Sequence, residues 1–210
     1  ASWALDENTN ISTGGGEFGG AIARNITIQN SIISEGLYAT LSGGGRTNNV
    51  TIYRNLYALN NERHIRSQGS GWLLDTSLFN FEMINNIVYG SGAQSLFAYG
   101  HKMSAINNHW KKSSEVTPTG TTLFKTQTEY GGVLADTDAC IKGNTVPSGM
   151  TEYESELNPY ITTEPYENTG IVPVAAVDIE TTLLTDAGAS FPFRDAVDDT
   201  LIDFVATSNT

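Results

Sequence analysis

Cysteine is all but missing from this chain. Cys140 stands alone, so no internal disulfide framework and no Cys-based zinc or iron–sulfur site can be assembled from it. Basic residues are scarce too: 11 Lys and Arg face 23 Asp and Glu, for a net charge of −12. That balance argues against nucleic acid as a partner, because phosphate contacts draw on Lys and Arg. No apolar run approaches the roughly 18 to 20 residues of a membrane span, which predicts no membrane partner. The chain opens on Ala1 with no basic stretch ahead of an apolar core, so no signal peptide is visible and a processed product or a fragment is expected. Several chemistries lack their motifs. His64, His101 and His109 show no His-Glu-x-x-His spacing, which argues against catalytic zinc. No Gly-x-Ser-x-Gly elbow occurs, and the clusters Gly14-Gly15-Gly16, Gly43-Gly44-Gly45 and Gly90-Ser91-Gly92 are not followed by the Lys-Ser/Thr of a phosphate loop, so they read as turns.

What is present suffices for one globular domain. A chain of 210 residues, 39% hydrophobic and 10% aromatic, can close a core without disulfide or metal staples. Its charge is unevenly divided. Residues 1–112 hold eight basic and seven acidic side chains, whereas residues 113–210 hold three and sixteen. An anionic ligand therefore belongs with the first half, and the acidic second half reads as a solubilising surface.

One short pattern recurs four times: Asn25-Ile26-Thr27-Ile28, Asn49-Val50-Thr51-Ile52, Asn80-Phe81-Glu82-Met83 and Met103-Ser104-Ala105-Ile106. Each alternates as a strand does. Each runs on through a polar step into a second apolar pair: Ser31-Ile32-Ile33, Asn55-Leu56-Tyr57, Asn86-Ile87-Val88 and Asn108-His109-Trp110. The intervals of 24, 31 and 22 residues from Ile26 to Val50, Phe81 and Met103 suit the coils of a parallel β-helix, whose inward residues stack on those of the coils above and below. Asn30, Asn55, Asn86 and Asn108 are candidates for a ladder at the bend. An antiparallel sandwich is the alternative that short alternating strands also permit. Against it, the glycine-rich insertions fall at one place in the repeat.

Beyond residue 113 the repeat weakens, leaving the apolar islands Thr121–Phe124 and Gly132–Ala135. Residues 144–176 contain four of the six prolines and read as an extended strap wrapping the solenoid. Asp178 and Asp195 read as N-caps of two short helices that cap or flank the end. The division expected is β-helix coils over 1–143 and a C-terminal wrapping segment with capping helices over 144–210, within one domain.

Three segments together resemble the pectate lyase family of polysaccharide lyases. They are Ser2-Trp3-Ala4-Leu5-Asp6-Glu7-Asn8, the stretch from Ile32 to Leu37 followed by Val50 to Arg66, and Ala187 to Asp198. The resemblance implies an all-β, right-handed parallel β-helix with a C-terminal extended segment and short helices. It also implies β-elimination of pectate-like polyuronate chains assisted by calcium, outside the cell or on a virion surface.

Residue by residue, Arg63 falls at the head of the family's Arg-x-Pro-x-x-Arg signature, where it implies the catalytic base; Ile65 and Gln68 stand at the proline and second arginine. Arg66 matches a basic residue common in relatives and, with Glu35, implies substrate contact. Asp6 matches one calcium carboxylate, while Ser2 occupies the place of its partner and Tyr38 falls near the family's substrate lysine. The coil that would precede Ser2, with a further calcium aspartate, is expected either as an earlier part of the polypeptide or as another chain covering the open end. These departures open a second reading, a β-helix without catalysis that binds glycans or serves as a tailspike-like or surface-structural protein. A third is a β-helical glycoside hydrolase, whose paired carboxylates leave no mark in sequence.

Overall fold

The computed structural model describes residues 7–12, 23–43, 47–67, 80–90, 95–98, 102–118, 120–127, 137–166 and 169–208. After β1 (Glu7–Ser12), the chain repeats one three-strand path. The first coil is β2 (Ala23–Gln29), β3 (Ile32–Ser34) and β4 (Tyr38–Gly43); the second is β5 (Thr47–Tyr53), β6 (Leu56–Ala58) and β7 (Arg66–Ser67). The third is β8 (Asn80–Ile84), β9 (Ile87–Tyr89) and β10 (Ser95–Ala98); the fourth is β11 (Lys102–Ile106), β12 (His109–Lys111) and β13 (Thr122–Gln127). A fifth runs through β14 (Asp138–Lys142), a single bridge at Thr145, and β15 (Thr151–Tyr153).

Corresponding strands stack into three parallel sheets. Sheet A is β1-β4-β7-β10-β13-β15, sheet B is β2-β5-β8-β11-β14, and sheet C is β3-β6-β9-β12. Every ladder between these strands is parallel, so the chain is a parallel β-helix and the sandwich alternative falls. The register is the one the repeat predicts, with Ile26 opposite Val50, Val50 opposite Phe81, and Phe81 opposite Met103.

Alternation decides what each face meets. Inward go Val50, Ile52, Phe81, Met83, Met103, Ala105, Ala139 and Ile141 from sheet B, with Tyr57, Val88 and Trp110 from sheet C. Outward from sheet C go Leu56, Ala58, Ile87 and Tyr89, which would face water were they not covered. Helices α1 (Ile179–Asp186) and α2 (Ala196–Thr207) cover them with Ile179, Leu183, Leu184, Leu201 and Val205. Both helices thus lie along the flank of the solenoid. Asp195 caps α2 by accepting from the N–H groups of Val197 and Asp198, whereas Asp178 closes a 3-10 turn and makes no side-chain cap.

Residues 162–166 and 169–175 cross the outer face of sheet B, whose outward row is Thr51, Glu82, Ser104 and Cys140. Thr169 donates to Glu82 at 2.7 Å, Tyr166 N–H donates to Ser104 Oγ at 2.7 Å, and the Val174 carbonyl accepts from Asn85 and Asn107. The solenoid end is closed by the 3-10 helix Ser155–Tyr160, whose Leu157 is fully buried in the central core. Sheets B and C are therefore clothed by the C-terminal segment, and sheet A is the remaining side. No helix among the described residues is long and apolar enough to cross a membrane.

The bends between sheets B and C carry two adjacent columns. In one, Asn55 Nδ2 donates to Asn86 Oδ1 at 3.1 Å, Asn86 to Asn108 at 3.0 Å and Asn108 to Asn144 at 2.9 Å. Its first rung is Ser31, whose N–H donates to Asn55 Oδ1 at 3.0 Å. Asn30 therefore does not belong to the ladder. It starts the neighbouring left-handed column Asn30, Arg54, Asn85, Asn107 and Gly143, all at positive φ, where Asn and Gly are the residues that tolerate the conformation.

Candidate functional site

The turn from sheet C to sheet A in the second coil, Leu59 to Ile65, is stitched rung by rung onto the first coil. Asn61 and Glu62 N–H donate to Gly36 and Leu37 carbonyls at 2.9 and 3.0 Å, and Ala39 and Thr40 N–H donate back to Glu62 and Arg63 at 3.1 and 2.9 Å. The fully buried Asn60 amide fastens the start of this turn, donating to Ile33 O at 2.8 Å and accepting from Gly36 N–H at 3.0 Å. Gly36 leaves room there for Asn8, since a Cβ would lie 2.4 Å from Asn8 Nδ2 and push that side chain aside.

Arg63 then takes a left-handed conformation, φ 56°, which a side chain with a Cβ adopts only at a cost. The reversal sends successive residues to opposite places. His64 and Ile65 turn inward and are fully buried. The His64 ring lies edge-on to Tyr57 and Trp110 at centroid distances of 6.5 and 6.0 Å, and its Nε2 is 3.3 Å from Asn60 O. Arg63 instead reaches across to the coil below, where its guanidinium carbon stands 3.7 Å from the centroid of the Tyr38 ring. This is close stacking of a cation on an aromatic face. Behind it, the Tyr57 hydroxyl is 3.3 Å from Thr40 Oγ1, and burial pushes its ionisation far above the ordinary tyrosine range.

The other candidate residues are placed differently. Arg66 lies in β7, paired with Leu41 and Leu96, and is only 3% exposed. Glu35 is exposed at the bend after β3, at φ 56°, with its N–H donating to Ala58 O at 3.1 Å. It heads a column of bend residues that continues through Leu59 and Gly90. Asp6 lies outside the described residues, as do Ser2 and Gln68. Among the described residues no three His, Cys, Asp or Glu side chains come together to hold a metal ion, so the described residues do not by themselves fit calcium.

No protein-family model matches the chain. A protein named probable pectate lyase C from Aspergillus flavus is 26% identical over 212 residues, covering 96% of this chain and 46% of that protein. The protein of the same name from Emericella nidulans is 29% identical over 226 residues, covering all of this chain and again 46% of its own length. The chain is similar to proteins named pectate lyase. It spans about half the length of these relatives, and the likeness runs through every coil described above rather than through one motif.

Sequence reasoning missed two residues. Tyr38 stands out in the sequence only as falling near the family's substrate lysine, yet its ring lies under Arg63; the contact joins positions 25 apart and gives no local spacing to read. Asn60 was passed over because no repeat carries an asparagine at that step; its only sign is its offset of 24 residues from Gly36, the interval between the first two coils.

Proposed function

We propose that this chain is part of a polysaccharide lyase acting on polyuronate outside the cell, with the sheet A side as the substrate face. In β-elimination a base takes the proton from the carbon bearing the uronate carboxylate, a carbon–carbon double bond forms, and the glycosidic oxygen leaves with its electron pair and is protonated by solvent. The electrostatic demand is on the carboxylate, which must carry the charge that develops next to it. Arg63 is the residue we assign as the base, the role that the resemblance implies for it. The observation that carries the reading is its placement: a guanidinium held over Tyr38 at the entry to sheet A, in a chain whose whole length is similar to proteins named pectate lyase.

Around it, Glu35 is an exposed side chain one coil away, and Arg66 stands in β7 in register with Leu41 and Leu96, only 3% exposed; both are assigned to substrate contact on the resemblance alone. We assign Asp6 to calcium, as the resemblance implies. The same reading puts a further coil or chain against the edge of β2, where Ile26 and Ile28 pack on the core while staying part-exposed.

An ultraviolet assay of unsaturated product tests this, over pectate, alginate and other uronates, with calcium and then with chelator. Calcium-dependent product is the expected result. No product from folded protein on any uronate overturns it. One observation favours the second reading, a glycan-binding β-helix without turnover: Ile65 and Gln68 stand at the proline and second arginine of the family's signature. Binding of oligouronate without product would decide for it.

A further inference from the structure

A cavity of about 490 Å³ lies at the corner where the fourth coil turns from sheet C toward sheet A, between that turn and the C-terminal end of α2. Tyr89, Lys112, Ser113 and Glu115 line it from the solenoid, Phe204 and Thr207 from the helix. It adjoins the bend column that runs from Glu35 through Leu59 to Gly90, since a Cβ on Gly90 would lie 2.8 Å from both Leu59 Cδ2 and Ser113 Cβ. The cavity therefore shares its corner of the solenoid with the turn from Leu59 to Ile65, two coils further along at roughly 5 Å per coil.

Three of these side chains hold chemistry that the fold does not use. Tyr89 packs its ring under α1 and α2 and is only 4% exposed, yet its hydroxyl is neither sealed in nor hydrogen-bonded among the described residues. A tyrosine hydroxyl so placed takes its partner from whatever fills the cavity. Phe204, next to the buried Val205, stays 47% exposed. Lys112 is exposed and gives one donor to the Ser148 carbonyl, and an ammonium has three. Of the remaining groups, Glu115 accepts from Ser114 Oγ at 3.3 Å and its N–H donates to Ser113 Oγ at 3.0 Å. The negative pole of α2 is met by the Lys111 ammonium, 2.8 Å from Val205 O, so it opposes an incoming anion less. An aromatic face, a hydroxyl that donates and accepts, and an ammonium match the three parts of a uronate unit: its C–H face, its ring hydroxyls and its carboxylate. A bare phosphate or sulfate would leave the Phe204 ring unused.

We infer that this cavity is a subsite for one uronate unit of the polysaccharide, with Phe204 against the sugar ring, the Tyr89 hydroxyl bonded to a sugar hydroxyl and Lys112 at the carboxylate. The inference rests on the polyuronate reading above, and it places a contact with the chain at the α2 corner, apart from the outer face of sheet A.

The test uses the full chain, hexagalacturonate and its methyl ester, and titration calorimetry, with circular dichroism and melting to show that each variant is folded. The parent binds the acid in preference to the ester. Lys112→Gln weakens the acid about tenfold and leaves the ester unchanged, because only the acid offers the ammonium a charge. Phe204→Ala weakens both ligands about tenfold, and Tyr89→Phe, which keeps the buried ring, weakens both about fivefold. Phe191→Ala removes a ring that is 94% exposed on the loop ahead of α2 and changes neither. An unchanged acid-to-ester ratio in Lys112→Gln overturns the inference, as does binding at the parent's strength in both Phe204→Ala and Tyr89→Phe. Should Phe204→Ala melt early, Tyr89→Phe and Lys112→Gln carry the same comparison. A parent that neither binds hexagalacturonate nor forms unsaturated product overturns the polyuronate reading itself, whereas a parent that binds it with all three variants unaffected overturns only the subsite.

Discussion

Asn86→Ala is the substitution on which the account of the solenoid stands most exposed. The Asn86 side chain is completely buried and makes five hydrogen bonds. It accepts from Asn55 N–H and Asn55 Nδ2 at 2.9 and 3.1 Å, and donates to Ile52 O, Asn108 Oδ1 and Ile84 O at 2.9, 3.0 and 3.2 Å. Not all of these partners suffer equally when the amide is removed. Asn55 Nδ2 keeps Ile28 O, and Asn108 Oδ1 keeps Asn86 N–H. The Asn55 N–H and the Ile52 carbonyl lose what Asn86 gave them, far from water. Leaving a buried polar group unsatisfied costs ~1–3 kcal/mol, so the two together set a loss of about 3–5 kcal/mol, a third or more of the stability of many domains. Asn144 is the control. It occupies the last rung and is part-exposed, accepting from Asn108 N–H and Nδ2 at 2.8 and 2.9 Å, and water can replace it. Asn144→Ala should cost ~1–2 kcal/mol. Urea unfolding followed by circular dichroism gives both numbers, and the Asn55→Ala/Asn86→Ala pair should be strongly non-additive because the two side chains share a bond. If Asn86→Ala cost under about 1 kcal/mol, or no more than Asn144→Ala, the ladder would be decoration rather than a structural requirement.

Three further outcomes are expected. Leu157→Ala opens a cavity at the closed end of the core and should cost ~2–5 kcal/mol, seen as a melting temperature lowered by about 5–15 °C; an unchanged melt would mean that the 3-10 helix does not close the end. Lys111→Met removes an ammonium held by Glu180 Oε1 at 2.9 Å and Val205 O at 2.8 Å and should destabilise by ~2–3 kcal/mol, with much of that recovered when Glu180 is also made Leu; chemical unfolding of both variants decides it. Burial holds His109 below the ordinary histidine range, with Glu180 pulling it up and Lys111 pushing it down. The unfolded chain therefore binds the extra proton first, and stability should fall as pH drops below about 6.5. Melting from pH 8 to 5 should show that slope, and His109→Gln should flatten it; an equal slope in the variant would assign it to other groups.

Inward and outward faces were legible from alternation alone, which is why Ile26, Val50, Phe81 and Met103 fell into their true register. The fifth coil was not, because Ala139, Cys140 and Ile141 are small or short and follow Met103 only after 36 residues. With it went the last rung, Asn144. The ladder was displaced at its first step for a different reason: one bend puts asparagine in the ladder and the next column puts asparagine at positive φ, and the letter is the same for both. Among the site residues, Arg63 could be singled out only by resemblance, since nothing in its neighbours Glu62 and His64 distinguishes it from a surface arginine. The Tyr38 contact depends on coil spacing and on the sign of one φ angle. Glu35 forms a bend in the main chain and its side chain is exposed, and only the resemblance singles it out for substrate.

The clothing of sheets B and C by residues far along the chain sets an order of events during synthesis. The outward residues Leu56, Ala58, Ile87 and Tyr89 leave the ribosome long before Leu201 and Val205, which complete their cover. At ~5–20 residues per second that apolar strip stays bare for on the order of 10 s in each nascent chain. Shortened transcripts, slow codons after Tyr89 or a nick within 162–175 would all prolong the exposure, and yield of intact protein should depend on chaperone supply far more than the stability of the finished solenoid suggests.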